Sequence, residues 1–447
     1  MPTAAGETAA AIVLALVRAG HEAYLVGGCV RDILRGVEPE DYDIVTSARP
    51  EQVRSIFPET VPVGEAFGVV LVLEGGRSYE VATFRAEGPY EDGRRPSSIR
   101  FASAEEDVRR RDFTVNGLLM DPATGAVIDL VGGRADLERR VIRAIGDPDR
   151  RFSEDHLRAL RAVRFAANLG FEIEPATFDA IRRHAASVAR VSAERVRDEL
   201  TKLLTRGGAR RGLELLDATG LVSIVLPEVA PMKGVEQPPE FHPEGDVWEH
   251  TLRCLALLEP GTKPTLAWGA LFHDVGKPPT RSEDARGVHF YGHSREGEHL
   301  ALGAMRRLRF SNAEAEAVAA LVRHHMRFMH VKEMRPSRLK RFLRLPDFPL
   351  HLELHRLDCL ASHGMLDNWQ FCRAKLAELA EEDLRPAPLL DGNDLIAMGL
   401  EPGPVFREIL RAVEDAQLDG RLATAEDARA FVRARWGDRL GAPRASG

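Results

Sequence analysis

A glycine turn followed closely by a pair of aspartates is the feature that most restricts how this chain can fold. Residues 25–32 read Leu-Val-Gly-Gly-Cys-Val-Arg-Asp, and Asp41-Tyr42-Asp43 follows a short way downstream. Adjacent glycines leave backbone N–H groups open to a phosphate, because no Cβ blocks its approach. Aspartates at i and i+2 of an extended strand point to one face, where they can hold a divalent cation. The sequence therefore predicts a phosphate-binding turn beside a metal-holding carboxylate pair.

The periodicity of apolar residues predicts alternating helices and strands at the amino-terminal end and helices afterwards. A helix is predicted over 8–19, and β-branched runs predict strands over 22–26, 42–46, 68–73, 79–84 and 126–130. The Gly/Pro/Arg-rich stretch from Arg85 to Arg100 predicts a loop without regular structure. A long helix is predicted to open at Ser153, as its N-cap, and to end near Gly170. The predicted fold class is α+β: an N-terminal head with a small mixed sheet, followed by an all-α neck, body and further helical domain.

The length of 447 residues exceeds what one hydrophobic core usually serves. Changes in composition, with a Pro-rich tract at 235–240, predict four divisions. The first is a head (1–147), and the second is a helical neck and body (148–234). A histidine-rich domain (235–365) follows, and a C-terminal helical region with a disordered tail (366–447) ends the chain.

Charge and cysteine content restrict the partners and the compartment. The net charge of −7 gives no sign of a nucleic-acid partner, so any RNA contact needs local basic patches such as Arg109-Arg110-Arg111. Four cysteines stand far apart with no C-x-x-C pair, which is typical of reduced thiols in a cytoplasmic protein. No apolar run is long enough to cross a bilayer, and we expect neither a membrane nor a DNA partner.

Two arginine-bearing segments have the residue types that bind a nucleotide. Residues 110–117 read Arg-Arg-Asp-Phe-Thr-Val-Asn-Gly, and the guanidinium of Arg111 can grip phosphate oxygens in a bidentate manner. In 154–165 the spacing places Asp155 and Arg158 as neighbours on one helix, an acceptor and a donor that could read a base edge. A solvated arginine cluster and an ordinary i,i+3 ion pair are the alternatives.

These motifs, in this order, resemble the class II tRNA nucleotidyltransferase and bacterial poly(A) polymerase family of the DNA polymerase β-like superfamily, over residues 22–230. The resemblance implies that Asp41 and Asp43 are the catalytic residues and bind Mg²⁺. It also implies a nucleotide-binding set, which consists of Gly27, Gly28, Arg31, Arg111, Asp155, Arg158, Arg161 and Arg164.

The resemblance further implies addition or repair of the 3′-terminal CCA of tRNA from CTP and ATP, without a nucleic-acid template. The partners expected are therefore tRNA, CTP and ATP, while the oligomeric state stays open. The stretch Arg85–Arg100 has the length expected of full CCA adders, which argues against an enzyme that adds only the two cytidines. An A-adding enzyme and a poly(A) polymerase are the alternatives, the second ranked lower because poly(A) polymerases usually lack a histidine-rich domain.

A second site is predicted from histidines further along the chain. His250, His273-Asp274 and Asp358 follow the order H…HD…D, and imidazoles with carboxylates suit Mn²⁺, Ni²⁺, Fe²⁺ or Mg²⁺. A lone histidine is usually a core or surface residue, but several more occur in the same region: His289, His293, His299, His324 and His325. The pattern resembles an HD-superfamily phosphohydrolase domain. That resemblance implies phosphodiesterase or phosphatase activity, for example on RNA ends, and a second alternative for the main function.

Overall fold

The computed structural model describes residues 3–62, 68–88, 98–238, 243, 245–285, 287–380 and 384–439. The chain divides into two compact units. The first comprises Met1–Pro231, Leu258–Ala267 and Ala304–Ser311, and the second comprises Met232–Leu257, Trp268–Gly303 and Asn312–Gly447. The four divisions expected from the sequence stay predictions. None of the described helices has the length and apolar character that spanning a membrane requires.

A mixed sheet forms the centre of the first unit. The strands are β1 (Ala23–Val26), β2 (Asp43–Thr46), β3 (Thr60–Val61), β4 (Val69–Glu74), β5 (Arg77–Thr83), β6 (Arg85–Glu87), β7 (Ile99–Phe101), β8 (Leu118–Met120), β9 (Val127–Asp129), β10 (Val141–Ile142) and β11 (Glu172–Ile173). Among the described residues the main sheet has the order β3-β4-β5-β2-β1-β8-β9, with β2 and β5 parallel and the other neighbours antiparallel. The predicted mixed sheet is confirmed, whereas the short edge strand β3 was not expected.

Helices surround this sheet and continue along the chain after it. They are α1 (Ala4–Arg18), α2 (Gly28–Leu34), α3 (Pro50–Ile56), α4 (Ala104–Arg109), α5 (Gly133–Arg139), α6 (Pro148–Glu154), α7 (Leu157–Leu169), α8 (Pro175–His184), α9 (Ala193–Thr205), α10 (Ala209–Ala218) and α11 (Val222–Val225). Helix α1 begins earlier than predicted, because the side chain of Thr3 accepts a hydrogen bond from the Gly6 N–H and caps the first turn.

The two faces of the sheet bury different residues of the same strands. Leu25 and Ile44 pack with α1 in the larger apolar cluster. The next residues along each strand, Val26 and Val45, pack on the opposite face with Phe84. This alternation follows from the period of two in a β-strand. It assigns Asp43, two residues before Val45, to the face away from α1.

Two expectations from the sequence are wrong in their local structure. The ends of the stretch Arg85–Arg100 are regular, because β6 and β7 pair antiparallel; residues 89–97 lie outside the described part of the chain. The helix expected to open at Ser153 is two helices, α6 and α7, separated at Asp155. Asp155 has extended backbone dihedrals, and Asp147 rather than Ser153 is the residue that caps a helix here.

The turn at Gly132-Gly133 is closed by local hydrogen bonds. The carboxylate of Asp129 accepts from the N–H groups of Val131, Gly133 and Arg134 at 2.9–3.1 Å. A Cβ on Gly133 would lie 2.2 Å from the carbonyl oxygen of Thr114. Glycine is therefore required by a close backbone approach, and the turn is structural.

The elements after residue 232 are mainly helical. They are α12 (Val247–Ala256), α13 (Pro264–Phe272), α14 (Lys277–Thr280), the hairpin β12 (Ser282–Asp284) and β13 (Gly287–His289), α15 (His293–Arg307), α16 (Asn312–His324), a 3₁₀ segment (His325–Glu333), α17 (Pro336–Leu343), α18 (Phe348–Ala361), α19 (Asp367–Glu378), α20 (Gly392–Ala397), α21 (Pro404–Leu418) and α22 (Ala425–Trp436). The hairpin was not predicted. In the tail expected to be disordered after residue 435, residues 436–439 are helical, and residues 440–447 lie outside the described part of the chain.

Candidate functional sites

Two other carboxylates, those of Glu80 and Asp41, lie near Asp43 at one end of β2. Asp43 begins β2 and lies opposite Glu80 of the parallel strand β5. Asp41 lies before β2, so the expected i and i+2 pair on one strand is wrong in that respect. Asp41 and Asp43 are nevertheless both exposed, while Tyr42 between them is buried. The pKa of Asp43 is raised to about 6. Partial loss of solvation is the largest cause and the nearby Glu80 carboxylate the next, while Arg111 acts in the opposite direction. This crowding of anionic oxygen ligands fits the ligand preference of Mg²⁺.

The glycine turn adjoins both Asp43, which pairs with Val26, and Arg111. Gly27 has a φ of 77°, and its N–H donates to the Leu118 carbonyl at 3.1 Å. The expectation that both glycines leave their N–H groups open is therefore wrong for Gly27. The donors that remain without intrahelical partners are those of the first turn of α2, from Gly28 onward. Arg111 lies against the turn, since its Nη1 would be 3.4 Å from a Cβ at Gly27.

A chain of hydrogen bonds connects Arg31 of α2 with Arg161 of α7. Arg31 Nη1 donates to Asn116 Oδ1 at 2.7 Å, and Asn116 Nδ2 donates to Asp112 Oδ1 at 3.1 Å. The other carboxylate oxygen of Asp112 accepts from Arg161 Nε and Nη2 at 2.9 and 2.7 Å. Burial tends to raise the pKa of Asp112, but Arg161 and Asn116 outweigh it and hold the pKa at about 2. Asp112 is thus a buried carboxylate that fixes one of the predicted nucleotide-binding arginines directly and another through Asn116.

Three guanidinium groups surround the ring of Phe165. Their central carbons lie 5.4 Å (Arg31), 5.2 Å (Arg161) and 3.9 Å (Arg164) from the ring centroid. Glu199 of α9 is buried and pairs with both Arg161 and Arg164. The structure therefore brings three of the predicted nucleotide-binding arginines together around one aromatic side chain.

Asp155 and Arg158 have separate partners. The break between α6 and α7 removes the continuous helix on which an i,i+3 pair depends. Asp155 accepts from Arg195 Nη2 and Nη1 at 2.7 and 3.1 Å. Arg158 donates to Glu154 Oε2 at 2.8 Å and to the backbone carbonyl of Arg110 at 2.9 Å. The expectation that Asp155 and Arg158 form a neighbouring acceptor and donor pair on one helix is wrong for this structure.

The four residues of the H…HD…D pattern meet in the second unit. His250 Nε2 lies 3.1 Å from both Asp358 Oδ1 and His273 Nε2. Asp274 Oδ2 lies 3.4 Å from His273 Nε2 and 3.8 Å from His250 Nε2. The order of these residues in the sequence thus corresponds to one cluster in space.

Two further histidines complete this cluster on the other side of Asp274. Its second oxygen, Oδ1, lies 3.7 Å from His293 Nε2 and 3.6 Å from His325 Nε2. The two Nε2 atoms are 3.2 Å apart, and these three residues form a group whose donor atoms could share one ion. Asp274 therefore stands between two pairs of imidazoles. The sequence named both histidines but offered no means of separating them from His299, which is exposed.

The hydrogen bonds of the histidine rings fit a metal centre. The Nδ1 atoms of His273, His293 and His325 lie 2.7–2.8 Å from the backbone carbonyls of Ala270, Phe290 and Val322. A carbonyl can only accept, so each Nδ1 carries the proton and each Nε2 presents a lone pair to the cluster. Facing lone pairs repel one another unless a cation lies between them. The donor set thus suits divalent metal ions, with nitrogen ligands typical of transition metals.

Lys277 and Gln237 extend the cluster and were not anticipated from the sequence. Lys277 Nζ lies 2.7 Å from Asp274 Oδ2 and donates to Gln237 Oε1 at 2.6 Å. Burial tends to raise the pKa of Asp274, but Lys277 and His273 hold it well below its ordinary value. The i,i+3 spacing of Asp274 and Lys277 was the available signal, although Asp274 lies in the turn before α14 and Lys277 is the first residue of that helix.

Three models of known protein families together match most of the chain. Residues 23–143 match the Poly A polymerase head domain, residues 170–233 match the probable RNA and SrmB-binding site of polymerase A, and residues 247–348 match the HD domain.

Individual relatives match either nearly the whole chain or about half of it. The A-adding tRNA nucleotidyltransferase of Deinococcus radiodurans is 37% identical over 93% of this chain and 96% of its own length. The CC-adding tRNA nucleotidyltransferase of Thermus thermophilus is 36% identical over 92% and 93%. The CCA-adding enzyme of Geobacillus stearothermophilus is 49% identical over 48% of this chain and 53% of its own length, so the chain spans about half of this relative.

A solved structure resembles the fold over its whole length. The Bacillus stearothermophilus CCA-adding enzyme in complex with CTP has a TM-score of 0.74 and 30% identity, and the match covers 98% of this chain and 99% of that one.

Proposed function

The chain belongs to the family of tRNA nucleotidyltransferases with a Poly A polymerase head domain, and we propose that it adds or repairs the 3′-terminal CCA of tRNA from CTP and ATP. The reaction releases pyrophosphate and uses no nucleic-acid template. The observation that carries the proposal is the cluster of Asp41, Asp43 and Glu80 beside the glycine turn against which Arg111 lies. It combines ligands for a cation with donors for a phosphate.

Each part of the first site has a role in this reaction. Asp41 and Asp43 hold Mg²⁺, which when bound lowers the pKa of the attacking 3′-hydroxyl and neutralises the leaving pyrophosphate. The N–H groups of the first turn of α2, from Gly28, and the guanidinium of Arg111 bind the triphosphate oxygens. Gly27 keeps the turn free of a Cβ at the point where Arg111 approaches. The tRNA hydroxyl then attacks the α-phosphate with the triphosphate held in line.

The arginines around Phe165 select and support the base in this proposal. Arg161 and Arg164 are fixed by Asp112 and Glu199, which orients their donors before the nucleotide arrives. Asp155 and Arg158 read the base edge once they exchange their present partners, Arg195 and Glu154, for the nucleotide. Loss of those ion pairs is balanced by hydrogen bonds to the correct base.

Addition of the terminal adenosine alone is a second candidate. The observation that favours it is the whole-length similarity to an A-adding enzyme. A CC-adding enzyme also matches over the whole length. The length of the stretch Arg85–Arg100 argues against CC-only addition, because it is the length expected of full CCA adders.

Single-nucleotide incorporation separates these activities. Purified protein is incubated with tRNA ending at the discriminator base, at CC and at CCA, with CTP or ATP alone and together. A full CCA adder extends the first tRNA by three residues when both nucleotides are present. An A-adding enzyme extends only the tRNA ending at CC.

The site assignment has its own test in the same assay. Asp43→Ala is expected to abolish incorporation. Glu105→Gln is expected to leave it unchanged, because Glu105 is exposed and among the described residues its ion-pair partner is the exposed Arg109. Labelled CTP that still enters tRNA in the Asp43→Ala variant would show that the assignment is wrong.

We also propose that the second unit is a metal-dependent phosphohydrolase acting on phosphate esters such as those at RNA ends. Its support is the cluster of His250, His273, Asp274 and Asp358 with the added pair His293 and His325. The ions this set suits best are Mn²⁺, Fe²⁺ or Ni²⁺, with Mg²⁺ the alternative. Bound metal supplies an activated water at neutral pH.

A pair of variants assigns the two activities. Asp274→Ala is expected to lose bound transition metal, measured by elemental analysis, and to lose phosphate release, while CTP incorporation continues. Asp43→Ala is expected to show the reverse. Loss of both activities in one variant with a native circular dichroism spectrum would contradict two separate sites.

The reaction and the cysteines together support a cytoplasmic location. All four cysteines are free and buried, as expected where thiols stay reduced.

A further inference from the structure

Cys254 is a buried thiol that contacts the histidine–carboxylate cluster of the second unit. It follows His250 by four residues on α12, so both side chains lie on one face of the helix. Helical side chains tilt toward the amino-terminal end, which brings the sulfur toward the imidazole ring. Both residues are completely buried, and Cys254 Sγ lies 3.7 Å from His250 Nε2. The thiol therefore shares the interior space of the predicted metal ligands.

The Nε2 atom of His250 has three polar atoms around it. Asp358 Oδ1 and His273 Nε2 are each 3.1 Å away, and Cys254 Sγ is the third. A neutral imidazole nitrogen carries either one proton or one lone pair, so it makes a full hydrogen bond to only one of these atoms. A cation bound among the four atoms would contact all of them. The arrangement therefore fits a metal ion better than a hydrogen-bond network.

The distances within this group agree with those between ligands of one ion. Zinc binds nitrogen or oxygen at about 2.0–2.1 Å and thiolate sulfur at about 2.3 Å. At a tetrahedral angle, these lengths place two nitrogen or oxygen ligands about 3.3–3.4 Å apart, and a nitrogen and a sulfur about 3.5–3.6 Å apart. The structure has 3.1 Å for the first kind of pair and 3.7 Å for the second. His250, Cys254 and His273 also form a group whose ligand atoms all lie within 4.8 Å of one another.

A second buried thiol, that of Cys359, has a different environment. Cys359 follows Asp358 in the sequence, but its sulfur contacts the ring of His355, 3.6 Å from Nε2 and 3.7 Å from Nδ1. Because these two distances are nearly equal, the sulfur is aligned with the lone pair of neither nitrogen. The His355 ring in turn stacks on Phe328, with centroids 4.4 Å apart. Cys359 is therefore a matched control: a buried cysteine beside a metal ligand in the sequence, with its sulfur on a different ring.

We propose that Cys254 is a thiolate ligand of the metal ion held by His250, His273 and Asp358. The proposal rests on the metal-dependent function proposed for the second unit and names the class of ion. On binding, the thiol releases its proton to solvent and a metal–sulfur bond forms. Thiolate is a soft ligand, so this site selects Zn²⁺, Fe²⁺ or Co²⁺ over Mg²⁺ and Mn²⁺, which prefer oxygen ligands.

Cobalt substitution detects the metal–sulfur bond without requiring turnover. The full chain is stripped of metal with a chelator and reloaded with Co²⁺. A thiolate bound to Co²⁺ gives a charge-transfer absorption in the near ultraviolet, which nitrogen and oxygen ligands do not give. Wild type and Cys359→Ser are expected to show this absorption. Cys254→Ser is expected to lose it, while its visible bands show that Co²⁺ is still bound and its circular dichroism spectrum stays native.

Metal preference supplies a second, independent readout. Cys254→Ser is expected to weaken Zn²⁺ binding at least about tenfold, measured by competition with a chromophoric chelator. Mn²⁺ binding, measured by electron paramagnetic resonance, is expected to stay unchanged, because Mn²⁺ gains little from a soft ligand. An equal loss of affinity for both ions would show that the substitution only distorts the site, and it would overturn the proposal.

The ligand assignment and the hydrolase function fail in different ways. If wild type binds Co²⁺ without the charge-transfer absorption, or if Cys254→Ser keeps that absorption, the ligand assignment is wrong. Phosphate release by the same protein would then leave the hydrolase function standing. If the absorption appears and Cys254→Ser removes it, but no phosphate ester is hydrolysed, the ligand assignment stands and the hydrolase function is wrong.

Discussion

Replacement of Asp112 by asparagine tests how strongly the buried network between α2 and α7 stabilises the first unit. Asp112 accepts two hydrogen bonds from Arg161 and one from Asn116, and these contacts hold its pKa at about 2 instead of 3.8. A difference of that size corresponds to about 2.4 kcal/mol of stabilisation at neutral pH. The Asp112→Asn substitution keeps the shape of the side chain but removes its charge, so we expect that contribution to disappear.

The pH dependence follows from the direction of the shift. The folded-state pKa lies below the ordinary value, so the contribution is complete above about pH 5 and is lost as the pH falls through about 2. The difference between wild type and Asp112→Asn is therefore expected to be about 50-fold in an equilibrium constant at pH 7 and about 10-fold at pH 3.

Hydrogen exchange measured by mass spectrometry on peptides from α7 is the suitable assay. Tryptophan fluorescence would not report on the first unit, because all four tryptophans, at 248, 268, 369 and 436, lie in the second unit. Protection factors of the α7 amides should fall by the factors above, and those of the second unit should not. Glu105→Gln, which breaks an exposed ion pair, should change protection less than about threefold. A loss below fivefold at pH 7, or an equal loss at both pH values, would refute this account of Asp112.

Three further predictions concern a turn, a carboxylate and a thiol. A Cβ at Gly133 would lie 2.2 Å from a backbone oxygen. Gly133→Ala should therefore lower the free energy of unfolding by about 1–3 kcal/mol, measured by urea titration followed by circular dichroism. Gly303→Ala, where a Cβ meets open space, should leave the free energy of unfolding unchanged. Glu80→Gln should lower kcat for CTP incorporation at least about tenfold and raise the Mg²⁺ concentration that gives half-maximal activity. Glu74→Gln, at an exposed position, should have no effect. If Glu80→Gln and wild type incorporate CTP at the same rate, Glu80 is not part of the site. Burial raises the pKa of Cys359 to about 12, so a disulfide reagent at pH 8 should label it only after unfolding, and fast labelling of native protein would contradict this.

The sequence predicted β1, β2, β4, β5 and β9 because local signals suffice there, and it missed β3 and β8. The run at 42–46 is rich in apolar and β-branched residues, and the structure has β2 at Asp43–Thr46. The partner of a strand is a non-local property. Parallel pairing of β2 with β5 places Glu80 opposite Asp43, and no feature near Glu80 distinguishes it from a solvent-facing glutamate. Only the structure therefore gives the position of this third carboxylate.

The same limit explains the error at Arg85–Arg100. Glycine and proline in the middle of the stretch indicate a turn, but they carry no information on whether its ends pair. Arg85–Glu87 and Ile99–Phe101 form strands because each supplies the hydrogen-bonding partner of the other. A short strand that is stabilised by pairing alone has little periodicity of its own for a sequence argument to detect.

Chemistry was easier to predict than geometry, and the two candidate sites show why. A histidine or carboxylate is recognisable as a metal ligand from its type, and the order His250, His273, Asp274, Asp358 corresponded to a cluster. An ion pair depends instead on competition among all charges within reach. Asp155 had Arg158 as its neighbour in sequence, but Arg195, forty residues on, reaches it first. Arg158 instead donates hydrogen bonds to the Glu154 carboxylate and to the backbone carbonyl of Arg110. The ion-pair partner of a guanidinium depends on how helices distant in sequence pack together. Spacing along one helix therefore predicts which residues can form an ion pair, but not which pair forms.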